Sequence, residues 1–348
     1  MKKLRFATLS AKGIADAHIR GILENENTEL VAVCDVDPER LAQEKEAHPW
    51  IRTYTDFREV LACDDIDAVV VTAPDQWHCE MSVAALEAGK HVLCEKPMAL
   101  SWDECRKMVR AAKASDRKFM VGQVCRYAPG FVRAHEMIER GDIGELFFVE
   151  SEYAHDYAKI PGHGGWRLDP RRHGFLGGGC HAVDLLRWMA GDPYEVFAYA
   201  NRKMLSSWPT DDCTVSVWKF PGDVIGKVFV STGCKRDYTM RSVFYGSKGT
   251  IICDNTSPEL TFFSTENEGG HTAPVKIPID INNHNMTAEI REFSDCIARD
   301  LPIRTTALEG AKTVAAALAA VESSKTGLPV RIDYDFRPYI RRKTRCIP

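Results

Sequence analysis

The sequence predicts an α/β fold: a doubly wound parallel sheet, followed by an α+β domain on an open, largely antiparallel sheet. Three observations carry this. Over residues 1–123, short apolar runs of β character alternate with helix-like stretches, the rhythm of a parallel sheet covered on both faces. From residue 124 a helix gives way to longer runs of strand character, which suits a sheet built from hairpins. The 348 residues allow two domains of roughly 100–200 residues each, so the expected division is 1–123 and 124–348.

In the first part, strands are expected at 4–9, 30–35, 51–54, 68–72, 91–94 and 119–122. A helix is predicted over 75–88 and stopped by Gly89. Another opens at Ser101, with Glu104 three residues on as a capping box. In the second part a helix is predicted over 129–140 and strands over 146–153, 196–201, 214–220, 224–231, 241–245 and 250–253, with a hairpin turn at 246–249. Two helices close the chain, 286–299 and 306–326, the latter opened by Thr306 and Glu309 and stopped by Gly327.

Composition removes several function classes. Hydrophobic residues at 45% and charged residues at 27% exclude a disordered or membrane-type chain. Lys plus Arg number 45 against 49 for Asp plus Glu, a net charge of −4. No positive field therefore draws the chain to nucleic acid or to an anionic membrane. The basic residues Arg337, Arg341, Arg342, Lys343 and Arg345 are expected to be solvated surface or a subunit contact. The 12 cysteines form no C-x-x-C, so thiols in a reducing cytoplasm are expected. No apolar run of about 18 residues and no signal-like start is present.

The chemistry lies at the strand ends, where doubly wound sheets place ligands. In a nucleotide-binding sheet the first turn should read G-x-G-x-x-G. Here it reads S-A-K-G-I-A, with Ser10, Lys12 and Ala15 at the glycine positions and Gly13 and Ile14 between. Lys12 could pair with a phosphate or crowd its approach. Asp35 ends the second strand, 25 residues after Ser10, where a carboxylate accepts from a ribose diol and repels a 2′-phosphate. NAD is thus favoured over NADP. Thr72, Pro74, Asp75 and His78 follow the fourth strand, and Glu95, Lys96 and Pro97 the fifth; of these, Thr72, Pro74, His78, Glu95 and Lys96 are expected, with Ser10, Lys12, Gly13, Ile14 and Asp35, to contact the cofactor.

These last segments, T-A-P-D-x-x-H and E-A-G-K-H-V-L-C-E-K-P, resemble the glucose-fructose oxidoreductase and inositol dehydrogenase (Gfo/Idh/MocA) family. The resemblance continues through 126–129, W-R-L-D-P at 166–170, G-G-G-C-H-A-V-D at 177–184, 246–250 and K-T-G-L-P-V at 325–330, nearly the whole chain. It implies an N-terminal Rossmann domain and a C-terminal domain whose sheet makes a homodimer or homotetramer. It also implies hydride exchange between a nicotinamide cofactor and a sugar or cyclitol hydroxyl. In the family, the residues at the positions of Lys96 and His181 lie beside the reacting hydroxyl. That chemistry needs a base within hydrogen-bond reach of the hydroxyl. His181 suits the role, with Asp184 three residues on able to orient it, while Lys96 polarises the oxygen.

The chain departs from the family at Gly177, where many members carry an aspartate that contributes to substrate binding or proton transfer. Arg126, Tyr127, Trp166 and Arg167 are the remaining substrate candidates, since sugar sites combine aromatic faces with charged donors. His155, His163, His173, His181 and Asp156 have no metal-ligand spacing, so no metal is expected. Two alternatives stay open: a glycoside-cleaving relative that uses NAD transiently, and a non-catalytic sugar or nucleotide sensor.

Overall fold

The computed structural model describes residues 3–160, 165–264, 273–281 and 284–336. The first unit runs β1 (Leu4–Leu9), α1 (Ala15–Glu24), β2 (Thr28–Cys34), α2 (Pro38–Ala47), β3 (Arg52–Tyr54), α3 (Phe57–Leu61), β4 (Ala68–Val71), α4 (His78–Glu87), β5 (His91–Glu95), α5 (Trp102–Ala114) and β6 (Phe119–Gly122). Its strands pair in parallel in the order β3-β2-β1-β4-β5-β6. The order reverses between β1 and β4, which opens a crevice at the strand C-terminal ends. β4 and β6 are buried at every position, as expected of strands covered on both faces. Local chemistry starts the helices. Asp37 accepts from the amides of Glu39 and Arg40 ahead of α2, with Pro38 in its first turn, and Ser101 accepts from Glu104 ahead of α5.

The second unit continues with α6 (Pro129–Glu139), β7 (Leu146–Ala154), α7 (Gly174–Gly177), α8 (Cys180–Ala190), β8 (Glu195–Asn201), β9 (Cys213–Lys219), β10 (Ile225–Ser231), β11 (Thr239–Gly246), β12 (Gly249–Asp254), β13 (Glu259–Ser264), β14 (Val275–Pro278), α9 (Met286–Ala298), α10 (Ala307–Thr326) and β15 (Val330–Arg331). The nine strands are ordered β14-β13-β12-β11-β7-β10-β9-β8-β15. All neighbours are antiparallel except β10 on β7. The sheet is therefore mixed, and longer than the hydrophobic runs predict. β13, β14 and β15 escape a sequence reading because they are short, mostly half exposed or exposed, and in β14 end in proline.

The last helices do not stay with the second sheet. α9 lies against α1, its Ile290 and Phe293 fully buried in one cluster with Phe6, Ile19, Ile22 and Leu30. The Phe293 ring meets the Phe6 ring edge-on at 6.0 Å. α10 packs on β8 and β15 on one side and on α5 and β6 on the other. A side chain at Gly310 would stand 2.6 Å from Val121, so glycine is what lets α10 approach β6. The expected division at 123 thus omits a helix that packs onto the first unit. Among the described residues, no helix is long and apolar enough to cross a membrane. The basic residues from Arg337 onward lie outside them.

Because α9 closes one face of the first unit, Phe293→Ala should lower the unfolding free energy by about 3–5 kcal/mol. Urea denaturation followed by circular dichroism measures it. A loss below about 1 kcal/mol would show that α9 is dispensable to that core.

Candidate active site

At the β1 end, Ser10 has φ 110° and Gly13 φ 67°, both in the left-handed region that favours glycine. The Ser10 hydroxyl donates to Asp35 Oδ2 at 3.1 Å, and the Ala11 amide donates to the same oxygen at 2.8 Å. Asp35 Oδ1 accepts from the Asp37 amide at 3.0 Å. The turn is thus pinned to the end of β2. Lys12 is drawn sideways into a 2.5 Å ion pair with Asp37, which raises its pKa. No atom lies within 4 Å of the place where a Cβ on Gly13 would stand. Ile14 precedes α1, half buried. Thr72 donates to the Ser10 carbonyl at 3.0 Å, which ties the β4 end to the same turn. Pro74 begins the short helical turn that leads into α4. This open turn beside a buried acid fits a dinucleotide.

Two expected cofactor contacts face inward instead. His78 is buried, its Nδ1 within 2.8 Å of the Pro97 carbonyl and its Nε2 within 2.9 Å of the Ala73 carbonyl. Both nitrogens are occupied, so the ring clamps the β4 and β5 ends and cannot reach a ribose. Burial opposes its charge, but Cys94, Asp75 and the Pro97 carbonyl raise its pKa to about 10. Glu95 is buried against His18, Oε1 to Nε2 2.7 Å, and its Oε2 accepts the Lys96 amide at 3.0 Å. Burial disfavours the carboxylate, yet His18 and Lys96 hold its pKa low. Glu95 therefore fixes the backbone that presents Lys96.

Lys96 is half buried, and among the described residues no carboxylate lies within ion-pair distance of its ammonium. Around it stand His181 at the start of α8, His284 ahead of α9, and Cys125 and Cys180, all of which feel its charge. Burial first, then Lys96, then His284 push His181 well below the ordinary imidazole value. Its ring stacks on Tyr153 at 6.1 Å, and Nδ1 lies 3.4 Å from Cys125 Sγ. Tyr153 hydroxyl is 3.0 Å from that of Tyr157 and 3.4 Å from His155 Nδ1. Tyr238 stacks on His284, with its hydroxyl 3.3 Å from Nε2. Burial and Lys96 lower the pKa of His284 to about 4.

The expected His181–Asp184 pair does not form. Asp184 instead accepts two bonds from Arg126, Nε to Oδ2 2.7 Å and Nη2 to Oδ1 2.8 Å, and a third from Thr313 at 2.9 Å. A buried guanidinium gains more from a two-pronged carboxylate than a neutral imidazole would. Arg126 is closed to substrate for the same reason. Tyr127 also turns away: it is buried with Ile290 and Phe293, and Arg304 lies 5.4 Å over its ring. Trp166 and Arg167 do reach the site. Arg167 lies 4.3 Å over the Trp166 ring and 5.7 Å over Tyr157.

Arg172, which no motif singles out, lies 4.8 Å over the same indole and donates from Nε to Asp75 Oδ2 at 2.6 Å. Its guanidinium occupies the space that Gly177 leaves: a Cβ there would be 2.5 Å from Cζ. Asking what fills the missing side chain is the signal that finds it. Cys125 was equally unmarked. Of the histidines considered for a metal, His173 caps α7 and pairs with Asp211, and His163 lies outside the described residues. Among the described residues no group of three His, Cys, Asp or Glu could hold a metal ion.

Comparison with known proteins agrees with this architecture. The oxidoreductase family with NAD-binding Rossmann fold matches residues 6–123, and the GFO/IDH/MocA C-terminal domain matches residues 131–252. The chain is 27% identical to 1,5-anhydro-D-fructose reductase of Ensifer adhaerens over 94% of this chain and 98% of that one. It is 28% identical to myo-inositol 2-dehydrogenase of Thermotoga maritima over 76% and 79%. Its fold matches a levoglucosan dehydrogenase solved in complex with NADH, with a TM-score of 0.89, 21% identity, and coverage of 95% of this chain and 100% of that one. From both domains, the chain belongs to the Gfo/Idh/MocA oxidoreductase family and carries its NAD-binding Rossmann domain.

Proposed function

We propose that this oxidoreductase moves a hydride reversibly between a secondary hydroxyl of a sugar or cyclitol and NAD, with Lys96 and His181 at the reacting oxygen. The observation that carries the reading is a lysine ammonium beside a buried, neutral histidine at the crevice end of β5. The named activities of the relatives support the substrate class. The turn at Ser10, Lys12, Gly13 and Ile14, with Asp35, Thr72, Pro74 and Lys96, would hold the dinucleotide. The Asp35 carboxylate opposes a 2′-phosphate, which favours NAD over NADP. When bound, NAD supplies the hydride acceptor.

The chain's own part is the proton. Lys96 stabilises negative charge developing on the oxygen. Burial raises the Cys125 thiol pKa, so its sulfur stays protonated beside His181 Nδ1. In the tautomer that carries its hydrogen on Nδ1, donated to a sulfur lone pair, Nε2 keeps a lone pair and takes the hydroxyl proton. We assign residues 1–123 with α9 to cofactor binding and the rest to substrate and subunit contacts. On β9 the outward Val215 and Val217 are 40% and 48% exposed, beside Tyr199 at 67% and Ile225 at 52%. An apolar sheet face of this kind suits a homodimer or homotetramer, and cytoplasmic thiols remain our expectation for its compartment.

Lys96→Ala and His181→Gln should each lower kcat by about 10²–10⁴-fold, read as NADH absorbance with sugars and cyclitols. Undiminished turnover in either would remove that residue from the chemistry. Because His181 must be neutral and its pKa is lowered, kcat/KM should fall on acidification with a midpoint below about 6.5. A midpoint above that would point to another base. Val217→Lys should yield monomers in light scattering of size-separated protein. An unchanged assembly would place the interface elsewhere.

A further inference from the structure

Around residue 177 a cation fills the place of a missing side chain. Arg172 is buried, its side chain 2% exposed, and Asp75 takes its Nε. Among the described residues its Nη1 has no hydrogen-bond partner, and a Cβ at Gly177 would stand 2.6 Å from that nitrogen. Arg167 shares the Trp166 ring with it. Burial and the neighbouring Arg172 both depress the Arg167 guanidinium pKa, the mark of two like charges brought together. Arg167 also lies 5.7 Å over the Tyr157 ring, whose hydroxyl is 3.0 Å from that of Tyr153, the ring on which His181 stacks. A line of aromatic rings thus joins the arginine pair to His181.

We propose, resting on the oxidoreductase reading, that the substrate is a sugar or cyclitol bearing a carboxylate, a uronate or aldonate. Its acid group sits on Arg172 and Arg167 while its hydroxyl meets Lys96 and His181.

Among the described residues, the charges facing this space do not balance without such a ligand. Asp75 stands against Arg172 and Arg167, and against His78, whose pKa it raises. The other nearby carboxylates are engaged elsewhere: Asp184 with Arg126, Glu95 with His18, Asp169 with Arg171, Asp156 with Lys235 and Asp211 with His173. His155, His181 and His284 are all held toward the neutral form, so they add no positive charge and supply none of the missing negative charge. Cations that outnumber their carboxylate in a water-poor place cost free energy that an anion recovers. The planar guanidinium edge suits a carboxylate. Glycine at 177 is then a specificity device: a side chain there would displace the Arg172 guanidinium, and an aspartate would also neutralise the charge that reads the substrate's acid.

The test measures kcat/KM at saturating NAD for D-glucuronate, D-galacturonate and D-gluconate against D-glucose, D-galactose, myo-inositol and glucose 6-phosphate. The best acid should exceed its neutral parent by about tenfold or more, and rising salt should narrow the gap. Gly177→Asp and Arg172→Gln should bring the ratio of acid to neutral sugar close to one. Because Arg172→Gln strands Asp75, the double variant Asp75→Asn/Arg172→Gln, checked for folding by thermal melting, should equalise the ratio as well.

A neutral sugar preferred over its acid, a preference for the sugar phosphate, or a ratio unmoved by Gly177→Asp would each overturn the inference. NADH formation from neutral sugars with no acid preference would do so while leaving the oxidoreductase reading intact. Failure to bind NAD or to form NADH with any of these compounds would defeat both.

Discussion

Buried charges must be paired, and in this protein the pairs are what join the two units around Lys96. Asp75, just beyond β4, holds Arg172, which precedes α7, and Arg126, just beyond β6, holds Asp184 on α8. Each bond ties a strand end of the parallel sheet to the helices that rest on the second sheet. Removing one partner of such a pair would strand the other in a dry interior, at about 3–5 kcal/mol. The crevice thus has fixed walls, and Lys96, whose own neighbour Glu95 is committed to His18, is the charge left facing it.

That arrangement explains which parts of the site could be seen in the sequence. The strand ends, the turn after β1, and the segment that presents Lys96 are local: apolar runs and short motifs specify them, and the structure places them at one crevice mouth. Pairing partners are not local. Asp184 lies one helical turn from His181, so spacing alone suggests that the two meet. Arg126, 58 residues earlier, offers a second prong and a full charge, and it wins. His78 and Glu95 sit in a segment that borders the crevice, yet burial forces each to satisfy its polar atoms inward, on carbonyls and on His18. Tyr127 follows the apolar face of α9, whose return to the first unit nothing in its own sequence announces.

The turn after β1 shows the same contest at smaller scale. Ser10 holds a backbone angle that glycine would adopt freely, a strain of order 1–3 kcal/mol. Its hydroxyl and the Ala11 amide both reach Asp35, so the strain is offset by bonds to the acid expected to meet the ribose. Lys12, which read as either a phosphate partner or an obstruction, is pulled aside by Asp37. Asp37 meanwhile caps α2. The altered turn keeps the features a pyrophosphate needs, an open Gly13 and free approach, by moving the burden of shape from glycines to a small polar network.

The cationic wall and the neutral base are consequences of one field. Burial alone would keep His181 uncharged, and the ammonium of Lys96 adds to that. In the proposed mechanism, the same positive potential that keeps His181 neutral and free to receive a proton makes the space attractive to an anion. A carboxylate on the arginine side would draw off part of this potential, raising the proton affinity of the histidine only once substrate is in place. Before that, the base stays neutral over a wide range of pH. Residue 177 controls how far the potential extends, since its missing side chain is the room in which the Arg172 guanidinium lies. On this proposal, charge recognition and proton transfer are set by the same few residues, and a change at 177 acts on both.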